Sequence, residues 1–213
     1  MPARLRPTAP IAANAVLVGD PGRALMLAQE LLEQPKMSNH ARGLWGYTGT
    51  AKAGGELTIQ STGMGGPSAS VVLADLAELG LRRAIRIGTC ASLGDLGLGE
   101  LLLVSEARTP GGATAAPDQT LTTALGQSLE GVHRGVGVSL DTLYRPERDR
   151  PTLLAEAADM QTAALLAAAS EHDVAAAALL IVAEKSNAGQ LRDEELEEAA
   201  KRAGTAASNV LSA

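Results

Sequence analysis

The chain has 213 residues, 46% hydrophobic and 20% charged, which suits a globular protein with a sizeable buried core. With no Phe, one Trp and two Tyr, it has almost none of the aromatic surface on which nucleic-acid binders stack bases. A net charge of −6 argues against a polyanionic partner over the whole surface and leaves room for a local cationic pocket.

In chain order, AVLVG (15–19) reads as a buried strand ending at glycine. Asp20 and Pro21 supply an N-cap and a first helical position for GRALMLAQELLEQ (22–34). ELTIQST (56–62) is a second strand, followed by a helix over Pro67–Leu79. AIRIGT (84–89) and ELLLVSEA (100–107) are the third and fourth strands, and 109–118 is a loop. A helix over Gln119–Leu129 precedes the strand HRGVGVS (133–139). Asp159–Glu171 is expected to be helical, VAAAALLIVA (174–183) a buried strand, and Arg192–Leu211 a closing helix. Strands alternating with helices predict an α/β fold with a mostly parallel sheet. No linker interrupts the composition, so one domain is expected over residues 1–213. Residues 145–152 (RPERDRPT) read as a charged surface loop.

Cys90 is the single cysteine, so no intrachain disulfide forms. MPARLRPTAPIAANAVLVGD lacks the long apolar core of a signal peptide, and the longest apolar run is too short to span a bilayer. The expectation is a cytoplasmic protein.

Three strands end in loops suited to an anion: VGDPGR with Arg23, TGMGGPS entering a helix, and IRIGTC with Arg86 and Thr89. In open α/β sheets, ligands collect where strands end and helices begin. Free backbone N–H groups and the helix dipole favour an anion there, glycine permits close approach, and arginine offers a two-pronged fork to phosphate oxygens. Taken singly, each signal is ordinary turn chemistry; GMGG is not the dinucleotide fingerprint, and no GxxxxGK[ST] occurs. Together they predict a phosphate or small-anion site at the carboxyl ends of the sheet.

GDPGRA, RGLWGYTGT, STGMGGPSAS, IRIGTCASL and DMQTAALL, in this order, resemble the nucleoside phosphorylase family, the group of hexameric bacterial purine nucleoside phosphorylases and uridine phosphorylases. The resemblance runs from about Val16 to the C-terminal helix. It implies a single α/β domain whose central mixed sheet partly closes into a barrel. It implies phosphorolysis of a (deoxy)ribonucleoside to free base and pentose 1-phosphate, with inorganic phosphate as co-substrate and no cofactor or metal. By resemblance Gly19, Arg23, Arg86 and Thr89 bind phosphate. Arg42 matches an arginine lent to a neighbouring subunit, which implies a dimer or a trimer of dimers. Met64, Leu143, Tyr144, Asp159, Met160 and Gln161 fall in the nucleoside site, and Glu184 and Arg86 are the catalytic candidates.

The chain departs from the family pattern in several places. Asp159-Met160-Gln161 stands where Glu-Met-Glu is usual, so a neutral amide oxygen replaces the carboxylate that accepts from the ribose hydroxyls. A neutral acceptor is the weaker one, which predicts weaker sugar binding. Residues 1–14 hold no histidine for a neighbouring sugar. Val182-Ala183-Glu184 replaces the Val-Ser-Asp segment of purine enzymes; Glu184 as proton donor to the base stands against a plain charged residue leaving a strand. Leu143 occupies the place of a stacking aromatic, and Pro146-Glu147-Arg148 is a short remnant of the uridine-enzyme loop. Three readings follow: a phosphorylase, with purine nucleosides ahead of uridine; a hydrolase using water, for which phosphate-binding arginines are superfluous; and a degenerate relative that binds with little turnover.

Overall fold

The computed structural model describes residues 4–142, 154–186 and 188–213. The first third of the chain runs β1 (Asn14–Val18), α1 (Pro21–Leu31), β2 (Leu32–Asn39), β3 (Gly46–Ala51), β4 (Glu56–Ser61) and α2 (Gly66–Glu78). Then come β5 (Arg83–Ser92), β6 (Leu101–Arg108), β7 (Thr114–Ala115), α3 (Gln119–Ser128) and β8 (His133–Ser139). The chain closes with β9 (Ala157–Asp159), α4 (Thr162–Glu171), β10 (Ala175–Lys185), β11 (Gly189–Gln190) and α5 (Asp193–Ser212). Among the described residues no helix is long and apolar enough to cross a membrane.

The strands form one mixed sheet in the order β11-β10-β6-β8-β9-β5-β1-β4-β3-β2, with β7 on β6. A further pairing of β10 with β5 closes β5, β10, β6, β8 and β9 into a five-stranded barrel. The expected mixed, partly closed sheet is therefore present. β4, β1, β5 and β10 are mutually parallel, so their carboxyl ends open on one edge of the molecule.

Side-chain alternation assigns the two faces. Val16 and Val18 of β1, Ile85 and Ile87 of β5, and Leu179 and Ile181 of β10 pack on the side of α1, α3 and α5. Ala15, Leu17, Ala84, Leu180 and Val182 pack on the opposite side, with α2 and α4. Arg86 has the parity of Ala84, so it projects toward α4; this parity positions the site. The core is aliphatic, as the composition requires, and Tyr47 is its buried aromatic ring. Alanines on α5 let the helix lie close to α1, where a Cβ at Gly204 would stand 2.7 Å from Leu27.

Two boundaries differ from expectation. The helix predicted to run to Gln34 ends at Leu31, because residues from Leu32 onward pair with β3. That hairpin, with bulges between Glu33 and Lys36 and between Met37 and Asn39, is absent from the sequence reading. Asp159 is not helical. Residues 157–159 pair with β5 and β8, and the helix starts at Thr162, whose N–H the Asp159 carboxylate accepts. The N-cap expected at Asp20 is present, accepting from the Arg23 N–H at 2.7 Å.

β3 has one position that only glycine fills. A Cβ on Gly46 would lie 2.1 Å from the buried Gln60 Oε1. Gln60 cannot swing aside, because its Nε2 donates to the carbonyls of Leu44 and Ser61. Gly46→Ala is expected to lower stability by about 3 kcal/mol, as overpacking does. A drop in the urea midpoint with unchanged slope measures it.

Candidate active site

A cavity of about 400 Å³ opens at the carboxyl ends of the parallel strands. The β1–α1 turn contributes Gly19, Asp20, Pro21 and Arg23 to its wall, and the β4–α2 turn Gly63, Met64 and Gly65. β5 contributes Arg86, Gly88 and Thr89, and the β9–α4 turn Met160 and Gln161. This is the size and place of a small-molecule site in an α/β protein.

The cavity's cations have opposite roles. Arg86 is 4% exposed, and each of its three nitrogens has a partner. Its Nη2 donates to Asp159 Oδ2 at 3.1 Å, its Nη1 to Gln161 Oε1 at 2.7 Å, and its Nε to Thr162 Oγ1 at 3.0 Å. A guanidinium carries five N–H groups, so the remaining two are available to a ligand. Arg23 is different. Among the described residues its guanidinium makes no hydrogen bond or ion pair, though it is half-buried in the wall. Burial lowers its pKa from the usual arginine value; Asp20 counters this, and the positive charge of Arg86 lowers it further. A desolvated cation beside a second cation is stabilised by an anion between them.

Behind Arg86, Asp159 is 2% exposed and wholly committed. It accepts from Arg86, from the hydroxyls of Ser139 and Thr162, and from the Thr162 N–H. Gln161 is 3% exposed. Its Oε1 accepts from Arg86 and from Thr62 Oγ1, the latter at 3.0 Å. Its Nε2 donates to Gly63 O at 2.7 Å and Gly65 O at 3.3 Å. Gly88 makes the arrangement possible. A Cβ there would stand 2.6 Å from Arg86 Nη2 and 2.8 Å from Leu180 Cδ2.

Of the expected site residues, Gly19, Arg23, Met64, Arg86, Thr89, Met160 and Gln161 meet at this cavity. Met64 is 80% exposed at its mouth. Asp159 does not line it and instead braces Arg86 from behind. Glu184 does not line it either; it follows the bulge in β10, where it pairs with Ala91 and Gln190. Arg42 is exposed in the short turn Ala41–Gly43, with a left-handed φ of 60°, and does not line this chain's cavity. Leu143, Tyr144 and Arg148 lie outside the described residues. Cys90, beside Thr89, is buried, with its thiol pKa pushed up by burial and then by the charge of Asp159. It is a packing residue with a suppressed thiolate.

Thr62, Gly88 and Thr162 were not singled out from the sequence. Each lies inside a quoted motif, but its part depends on where the Arg86 side chain ends, which spacing does not show.

Comparison with known proteins adds an independent line. The family described as "Phosphorylase superfamily" matches residues 14–213. A purine nucleoside phosphorylase of the DeoD type from Caldanaerobacter subterraneus is 34% identical over 175 residues, covering 73% of this chain and 75% of that protein. The enzyme of the same name from Oceanobacillus iheyensis is 34% identical over 176 residues, covering 73% and 74%. The crystal structure of a uridine phosphorylase from Vibrio fischeri superposes with a TM-score of 0.83 at 24% identity, covering 94% of this chain and 91% of that one, which establishes likeness of fold. Fold and sequence agree, and this chain belongs to the phosphorylase superfamily, among the nucleoside phosphorylases.

Proposed function

We propose that the protein is a pentosyltransferase that cleaves nucleosides with inorganic phosphate, purine nucleosides ahead of uridine. The observation that carries the reading is Arg23, without a hydrogen bond or ion pair among the described residues, beside Arg86 in a cavity at the carboxyl ends of β1, β4 and β5. Phosphate brings two negative charges and several acceptor oxygens. Arg23 and the two free N–H groups of Arg86 fit it, with Thr89 offering a hydroxyl at the same wall. A hydrolase using water gains nothing from two arginines lining one cavity.

In this reading a phosphate oxygen attacks the anomeric carbon of the nucleoside. The glycosidic C–N bond breaks, its electron pair goes to the base nitrogen, which ends with the proton given up by hydrogen phosphate, and the new C–O bond gives a pentose 1-phosphate. The site works by holding the nucleophile under the sugar and stabilising charge in a preorganised setting. The reaction draws on inorganic phosphate alone and needs no organic cofactor. The preference for purines follows the DeoD-type relatives. Self-association, with Arg42 exposed for a neighbour's site, and a cytoplasmic setting for the unpaired Cys90 complete the proposal.

Base release from inosine, adenosine, guanosine and uridine, with and without phosphate, tests it. Release is expected only with phosphate, and faster from a purine nucleoside. Equal release without phosphate would make water the nucleophile. Gly88→Ala, which drives a methyl into Arg86, is expected to raise the KM for phosphate about tenfold with little change in that for nucleoside.

A further inference from the structure

Gln161 stands where the resemblance places a carboxylate that accepts from the ribose hydroxyls. Its geometry shows a different task. The amide has two acceptor lone pairs and two N–H donors. Arg86 donates to its oxygen, the Thr62 hydroxyl divides its single proton between that oxygen and the Val18 carbonyl, and the carbonyls of Gly63 and Gly65 take both donors. With the side chain 3% exposed and both donors held by the glycine turn, its polar atoms are engaged by the protein although it lines the cavity. Two of its bonds hold the glycine turn between β4 and α2, and a third orients the guanidinium that faces the anion.

We infer that Gln161 is a positioning residue for phosphate, clamping the Gly63–Gly65 turn to Arg86, and not a ligand of the ribose hydroxyls. This rests on the phosphorylase reading. It also reverses the expectation drawn from the sequence. A glutamate at 161 would not restore a missing contact. Its second oxygen would face the Gly63 carbonyl now 2.7 Å from Nε2 and the Gly65 carbonyl beyond it, two acceptors against an anion. It would also put a second carboxylate beside Arg86, which already pairs with Asp159.

Calorimetric titration with inorganic phosphate, read beside steady-state kinetics on inosine and 2′-deoxyinosine, tests the inference. Gln161→Ala and Gln161→Glu are both expected to weaken phosphate binding about tenfold, the scale of leaving buried polar groups unsatisfied. The ratio of kcat/KM between inosine and 2′-deoxyinosine should stay within about twofold of wild type. Circular dichroism identifies a variant that does not fold; should alanine fail, the near-isosteric glutamate carries the test. Unchanged phosphate affinity with a loss confined to inosine would overturn the inference and return Gln161 to the sugar. Wild-type protein that binds no phosphate would overturn the phosphorylase reading and this inference with it, a result distinct from wild-type binding that Gln161 variants leave intact.

Discussion

Arg86→Met is expected to lower stability by about 3–5 kcal/mol and to reduce phosphorolysis at least a thousandfold. Both effects have the same origin. The guanidinium is buried and pairs with Asp159, whose side chain is only 1% exposed. Removing one partner of such a pair leaves an uncompensated buried charge, and that penalty sets the scale. Thr162 Oγ1 loses its arginine donor at the same time, and Gln161 Oε1 loses one of its two donors. The remaining Asp159 carboxylate would then stand behind the anion site as a repulsive charge. Urea unfolding measures the first effect and phosphate-dependent base release the second. A variant of wild-type stability would show that the Arg86–Asp159 pair is not the brace described above.

Arg23→Ala separates function from stability. Its side chain makes no hydrogen bond or ion pair among the described residues, and burial already disfavours its charge. Stability should therefore hold within about 1 kcal/mol of wild type or rise slightly. Activity should not hold. Loss of a preorganised donor at a developing negative charge costs about 10²–10³ in rate, and the loss should appear chiefly in kcat/KM for phosphate. Phosphate titration of the two proteins checks the ground-state part, and thermal unfolding checks the rest. A fall in melting temperature without loss of phosphate affinity would mean that Arg23 serves packing.

The contrast between these arginines explains what could be read from the chain alone. VGDPGR and TGMGGPS were legible as strand-to-helix turns because glycine, proline and an N-cap residue mark such turns locally, whereas IRIGTC, expected to end its strand at Thr89, lies inside β5, which runs on to Ser92 and leads to β6. The parallel strands are apolar runs, and their shared carboxyl edge follows from the alternation with helices. The β2–β3 hairpin was not legible. Leu32–Asn39 carries Pro35 and two bulges, which break the period-2 pattern, and Leu32 continues the apolar spacing of α1. Barrel closure was not legible from these residues either, since β5 and β10 meet across some ninety positions of chain; the resemblance supplied that expectation.

At the site, residue identity was visible and residue commitment was not. The motifs named Arg86, Asp159 and Gln161 together, but they did not show that Asp159 and Gln161 face Arg86. That follows from the parity of β5, which turns Arg86 toward the start of α4, and from Gly88, which leaves space for the guanidinium. Gln161 looked like a weakened sugar ligand because by resemblance its position belongs to a glutamate that accepts from the ribose hydroxyls. Its hydrogen bonds run to Gly63 and Gly65, nearly a hundred residues away.

The most direct test follows the phosphorus atom. Phosphorus NMR of the wild-type protein with inosine and inorganic phosphate should show a pentose 1-phosphate signal growing in step with released hypoxanthine. Hypoxanthine released while the phosphate signal stays unchanged would mean that water attacks the sugar, and the anion site built from Arg23 and Arg86 would need another purpose.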